Sequence, residues 1–489
     1  MIFKYIFTIL ILLQITFLNS QTISKLDIEI EKIKNDPDLK SATWSICIMP
    51  IEKDTILAEY NSSISLIPAS TLKIVTTGAS LLLLGSDFKF ETRLQYDGIF
   101  DTLSGTIKGN LYIIGGGDPS IDSEYFANKN DSLSTSDKWA RILQKKGIKT
   151  IEGSIIADAS IFENNLIPSQ WIWADIGNYF GAGASGLSYH DNKYSLYMKS
   201  GAIGSKVEIT KKIPEIKGLE LINNVTSNGE DDNAFIYGAP YSFYREIQGT
   251  IPAHKNNYEI EGSMPDPALF CAQSLEHSLN KIGIKCKKES TTNRILKEEA
   301  KIQIIKKYNL HTHYSPPLKE IIYWTNYKSN NMYAEHLLKY IAYKKNGIGK
   351  ENLGTEMVTK LWGDKGVDIN GFFMTDGSGL SRSNGITTKT EAQILRLMAN
   401  ERDFKIYYES FPIAGLPGPL DNFCEGTFAQ NNLRAKSGYI ERVRGYAGYI
   451  KSKKGKLLCF SFLINNYDCT PEKMKKKIEK LLIAIPYIE

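Results

Sequence analysis

The chain has 489 residues, enough for two to four domains and a large buried core. Hydrophobic residues make up 42% of it and charged residues 23%, the balance of a globular protein rather than a disordered one. The formal charge of +5 is mild and spread along the chain, so it offers no footing for a nucleic-acid partner and suits work beside an anionic cell envelope.

Residues 1–20 read as an export signal. Lys4 is followed by a mostly apolar run from Tyr5 to Leu18, and Asn19-Ser20-Gln21 offers a small residue for cleavage. The run is short for a membrane span and is broken by Thr8, Gln14 and Thr16. The expected location is the periplasm, with a retained N-terminal anchor and peripheral envelope association as open alternatives. Lys25 to Lys34 has the pattern of a short amphipathic helix, and Trp44 to Met49 and Thr55 to Tyr60 that of two strands.

Pro68-Ala69-Ser70-Thr71-Leu72-Lys73 then opens a run that is apolar on nearly every face as far as Leu84 and stops at Gly85. This predicts a central helix with Ser70 in its first turn. Ser70 and Lys73 share one helix face. A lysine desolvated there, near a second cation, loses its proton near neutral pH and serves as base for the serine. The same Ser-x-x-Lys spacing recurs at Ser86/Lys89 and Ser278/Lys281, but only Ser70 opens a long apolar helix.

From Phe88 to about Tyr258 short alternating runs punctuated by glycine predict strands, among them Lys89 to Tyr96, Gly105 to Ile114, Gly153 to Ala157 and Lys206 to Thr210. One helix is expected at Asp137 to Lys146. Gly115-Gly116-Gly117-Asp118-Pro119 is a turn without the Gly-Lys-Ser/Thr of a phosphate loop. Helical pattern returns at Asp266 to Ile282, Asn331 to Lys345, Glu351 to Lys365 and Thr388 to Asn400. Strands at Leu433 to Ile440, Gly445 to Lys451 and Leu457 to Ile464 precede a last helix at Pro471 to Ile483. The expected organisation is a discontinuous α/β host domain, 21–88 with 290–489, holding β-rich inserted material over 89–289. The six cysteines form no C-x-x-C pair, so their pairing stays open, and the dispersed histidines point to no metal or other cofactor.

Two further motifs follow the Ser70 helix in order. Ser329-Asn330-Asn331 precedes a helix, and Lys436-Ser437-Gly438 lies in a strand. Decoys exist at Ser278-Leu279-Asn280, where Ser278 is expected to face solvent or its own backbone, and at Lys199-Ser200-Gly201, which breaks the order. The ordered S-x-x-K, S-x-N and K-[ST]-G set resembles the penicillin-recognising serine D,D-peptidases and β-lactamases. Within them the chain is most similar to the D-alanyl-D-alanine carboxypeptidases/endopeptidases of peptidase family S13, of penicillin-binding protein 4 type. That similarity includes Gly109 to Pro119, Trp173-Ala174-Asp175 with Phe180-Gly181-Ala182, Met264 to Phe270, and Asp376-Gly377-Ser378-Gly379-Leu380-Ser381-Arg382. Two departures are Ser437 where threonine is usual and a bulky Tyr439 after Gly438, which narrows the acyl side of the cleft.

The resemblance implies a transpeptidase/β-lactamase-like fold with inserted domains. It implies that Ser70 attacks the carbonyl between two D-alanines on a peptidoglycan stem peptide, Lys73 takes its proton, and Ser329 relays a proton to the leaving amine. Asn331 then holds Lys73 and the substrate amide, Lys436 and Ser437 receive the terminal carboxylate, and the N–H groups of Ser70 and Tyr439 form the oxyanion site on the strand that Gly438 opens. Asp175, Phe180 and Arg382 line the stem-peptide pocket, where the alternative is a capping or salt-bridging Asp, a core Phe and a surface Arg. β-Lactams are the implied covalent inhibitors. A serine β-lactamase is the nearest rival, but its Glu-x-x-Leu-Asn segment matches only Glu276 to Asn280, in the wrong order. A non-catalytic envelope-binding protein is the other, and the intact Ser70, Lys73, Ser329, Asn331 and Lys436 speak against it. The balance of carboxypeptidase and endopeptidase action and the oligomeric state stay open.

Overall fold

The computed structural model describes residues 24–127, 132–230, 232–301 and 305–488. The signal segment expected at 1–20 therefore lies outside the described residues. Both ends of the chain meet in one antiparallel five-stranded sheet, ordered Arg434–Ile440, Val443–Lys451, Leu457–Asn465, Thr43–Pro50 and Ala58–Tyr60. Strand Thr43–Pro50 is buried along nearly its whole length because both faces of the sheet are covered. Ile46 and Ile48 pack with the helices Lys25–Lys34 and Pro471–Ala484 through Leu26, Ile30, Met474 and Ile478. Cys47 and Met49 point the other way, into a core with Val75, Trp362 and Leu395. The period of two thus divides one apolar strand between two cores.

The central helix spans Lys73–Leu84, and Lys73 to Leu81 are all buried. The helices Leu318–Tyr327, Asn331–Asn346 and Thr388–Met398 surround it. Gly85, at φ 81°, ends it by returning its N–H to Leu81. Ser70 sits one step ahead of this helix, on a 3₁₀ turn over Ala69–Leu72, rather than in the first α-helical turn. The tighter turn is approached through Ala69, a buried non-glycine residue at φ 50°.

Between the two halves of the main sheet the described residues build four more sheets. The run Gly105 to Ile114, expected as one strand, is two: Thr106–Lys108 and Leu111–Ile114 lie in different sheets. Asp97 accepts the Asn110 backbone N–H at 2.5 Å and the Asn110 side chain at 2.9 Å, pinning the break. Strands beyond residue 289, the expected limit of the inserted material, pair with strands before it. Thr291–Thr292 pairs with Ile155–Asp158, and Tyr308–Tyr314 pairs with Glu91–Tyr96, so both belong to the sheet started at Glu91. Ser278 does not face solvent: it is buried and bonded at 3.0 Å to Ser136 of the neighbouring helix Thr135–Lys145. All six cysteines are free, and no helix of the described residues is long and apolar enough to cross a membrane.

Candidate active site

The turn that carries Ser70 is fixed from below and from the side. Thr71 Oγ1 lies 2.7 Å from one oxygen of the buried Glu391, and Ser461 of the main sheet donates to the other at 2.6 Å. Burial pushes the Glu391 carboxyl up to about 7. Strand Arg434–Ile440 runs against the turn at Gly438, where an added Cβ would sit 2.6 Å from Pro68 O and 3.1 Å from Ser70 N. Only glycine permits that approach.

Lys73 is fully buried. Its Nζ lies 2.9 Å from Ser70 Oγ and donates to Asn331 Oδ1 at 2.6 Å and Ser378 O at 2.8 Å. Asn331 Nδ2 donates to Phe180 O at 2.7 Å, so the amide can satisfy both neighbours in one orientation only. Two of the three groups around Nζ only accept, and the third is a hydroxyl. A neutral amine fits this set: two N–H donors serve the acceptors and the lone pair faces the serine proton. Burial brings Lys73 down to about 7, against the opposing pull of Asp376 and Glu335. Burial, and not the second cation expected from the sequence, lowers it. It is Lys436 that feels the pair, held well below the ordinary lysine range by burial and then by Lys73.

Lys436 Nζ donates to Ser329 Oγ at 2.9 Å and to Ser437 O at 2.6 Å. Ser329 is held at φ 58° in the junction between the helices Leu318–Tyr327 and Asn331–Asn346. Two chains of contact result, Ser70–Lys73–Asn331 and Lys436–Ser329. A cleft of about 690 Å³ opens on them, lined by Ser70, Asp175, Phe180, Ser329, Asn331, Arg382 and Tyr439. Lys73 and Lys436 lie buried behind this lining. Tyr439 is half exposed, and Arg444 stacks on its ring at 4.6 Å. Asp175 and Arg382 pair with each other, 2.8 Å apart, rather than standing as two separate receptors. Phe180 meets the Ser70–Lys73–Asn331 chain through its carbonyl.

Several groups around the site were not singled out from the sequence. Asp376 accepts Trp171 Nε1 at 2.8 Å and the backbone N–H groups of Gly379 and Ser381 at 2.7 Å each, which shapes the loop that offers Ser378 O to Lys73. Glu335 lies under the same loop. Its spacing of four from Asn331 placed it on the same helix face, the one signal available. Among the described residues no group of three His, Cys, Asp or Glu side chains is placed to hold a metal ion.

A serine beside a buried lysine, with a second serine–lysine pair across the cleft on a helix-flanked antiparallel sheet, defines the penicillin-recognising serine hydrolases. Residues 26–484 match the model of the D-Ala-D-Ala carboxypeptidase 3 (S13) family, and the chain belongs to that family. It is 26% identical over 450 residues to a D-alanyl-D-alanine carboxypeptidase DacB of Haemophilus influenzae, covering 87% of this chain and 86% of that one. It is 25% identical over 454 residues to a D-alanyl-D-alanine carboxypeptidase of an Actinomadura species, covering 90% and 81% respectively. The fold is similar to that of penicillin-binding protein 4 from Haemophilus influenzae, with a TM-score of 0.77, 23% identity, and 94% and 98% of the two chains covered. The same protein in complex with a β-lactam gives a TM-score of 0.74 at 22% identity, with 95% and 99% covered.

Proposed function

We propose that this protein is a serine D-Ala-D-Ala carboxypeptidase, with D,D-endopeptidase action on the same machinery, and that it works on peptidoglycan stem peptides through an acyl-enzyme on Ser70. The observation that supports this most is the surrounding of Lys73 Nζ, two acceptors and one serine hydroxyl at hydrogen-bond distance in a fully buried site. Lys73 takes the Ser70 proton as Oγ attacks the carbonyl between the D-alanines. The carbonyl oxygen, gaining charge, is received by the N–H groups of Ser70 and Tyr439. Ser329, already bonded to Lys436, passes a proton to the leaving amine. Asn331 holds Lys73 and the substrate amide, and Lys436 with Ser437 receives the terminal carboxylate, whose charge would restore protonation of Lys436. Water releases the acyl group. β-Lactams mimic the acyl donor and are held as slow esters on Ser70.

Asp175, Phe180 and Arg382 form the pocket for the stem-peptide side chain. The segment 1–20 is removed on export to the periplasm, and the domain division follows the chain: a host from both ends and inserted β-rich units between, extending to about residue 314 on the strand pairing of Tyr308–Tyr314. A fluorescent penicillin should label the protein and fail to label Ser70→Ala. Digestion of purified peptidoglycan, with products identified by mass, should release D-alanine or cleave cross-links. Label retained by Ser70→Ala, or an untouched sacculus, would refute the reading.

A further inference from the structure

The loop that follows Thr375 is gripped from two sides. Glu335, fully buried on the helix Asn331–Asn346, accepts the backbone N–H of Gly377 at 2.9 Å and of Ser378 at 2.8 Å. The carbonyls of the same two residues are taken by the nucleophile helix: Gly377 O accepts from Thr76 Oγ1 at 2.6 Å, and Ser378 O accepts from Lys73 Nζ at 2.8 Å. Two consecutive peptide units are thus oriented with their N–H groups on one helix and their C=O groups on the other. A carboxylate has lone pairs for both amides, whereas an amide side chain would set its own NH₂ against one of them. Gly377 is required at this point, because an added Cβ would lie 2.8 Å from Ala334 O.

Asn331 and Glu335 are one helical turn apart, so one helix face delivers both an acceptor for Lys73 and the clamp on its other carbonyl partner. We propose that Glu335 is a positioning residue for the acylation step, holding the Gly377 and Ser378 amides so that the Ser378 carbonyl stays against Lys73 Nζ. This rests on the reading of Lys73 as the base. The groups facing Glu335 are Asp376 and Glu351, both of which disfavour its charge, and the lysines Lys73 and Lys339, which feel it. Burial and Asp376 raise the Glu335 carboxyl to about 8, and the Gly377 bond opposes the rise.

The test is the pH profile of β-lactam acylation. In Glu335→Gln the rising limb should move to lower pH by about one unit, since the lysine ammonium loses the Ser378 carbonyl as a firmly held acceptor. Its plateau should fall by about tenfold, the loss that follows when a substrate-assembling group is loosened by a fraction of an ångström. Glu335→Asp keeps acceptor oxygens for both amides and should keep the wild-type midpoint while losing rate. A Glu335→Gln profile with wild-type midpoint, whatever its rate, would overturn the proposal. If Glu335→Gln does not fold, Thr76→Val decides: it frees the Gly377 carbonyl without a charge change, so the plateau should drop severalfold with the midpoint unmoved, and an unchanged rate overturns the proposal. Wild-type protein that takes no penicillin at all would count against the proposed function instead.

Discussion

Burying Lys73 as a neutral amine has a consequence for stability that can be measured without any substrate. Its folded-state value is brought down from 10.5 to about 7. Below about 7 the lysine is protonated in both states, and the folded protein carries the full cost of a buried charge, about 5 kcal/mol at roughly 1.4 kcal/mol per unit. Between about 7 and 10.5 only the unfolded chain holds the proton, so folding becomes more favourable as pH rises. Lys436, lowered by burial and by Lys73, adds to the slope with the same sign. Lys73→Met removes the titration and relieves Lys436. The assay is equilibrium urea unfolding of both proteins at about pH 7.5 and about pH 9.5. The stability of wild type minus that of Lys73→Met should rise by about 2.7 kcal/mol across that interval. The lost hydrogen bonds of Lys73 shift the offset and leave the slope. A difference flat in pH would show that Lys73 keeps its proton in the folded state, and the neutral-base reading would fall.

Penicillin labelling should survive in Ser86→Ala and Ser278→Ala, since Ser86 bonds Asp403 and Ser278 bonds Ser136, neither near a buried lysine amine; loss of label in either would undo the assignment of Ser70. Gly438→Ala should cut acylation by about tenfold or more by pushing Pro68 and Ser70 away from the strand, and a wild-type rate would show that the turn is not held by that contact. Asp175→Ala leaves Arg382 unpaired at the cleft, and kcat/KM for a diaminopimelate-bearing peptide should fall about 10- to 100-fold further than for an acetyl-lysine peptide. Equal losses on both substrates would make Asp175 a structural partner of Arg382. Exported protein should begin near Gln21, and N-terminal sequencing that finds Met1 would identify a retained anchor.

The candidate reacting groups can be singled out in the sequence because their chemistry is local. Ser70 and Lys73 need only a helical spacing and an apolar run to be recognised, and the order of Ser329, Asn331 and Lys436 supplied the remainder. The elements with strong periodicity were legible as well: Lys25–Lys34 and Asn331–Asn346 formed within a residue of their expected limits. What escaped was decided by partners distant in the chain. Thr291–Thr292 is too short for any pattern and Tyr308–Tyr314 is largely polar, so only pairing with Ile155–Asp158 and Glu91–Tyr96 reveals them as strands. Ser278 looked solvated because a lone serine in a helix usually is, and the approach of Ser136 overrides that habit. Asp175 and Arg382, far apart in sequence, found each other before any ligand could be considered. Glu335 carries no motif, and a glutamate four residues after Asn331 reads equally well as surface charge. Its role depends on the Gly377–Ser378 amides being brought beneath the nucleophile helix. The same holds for the proposed base: the sequence singles out Lys73, while its low proton affinity comes from complete burial, which a lysine acquires only when the helices around it have packed.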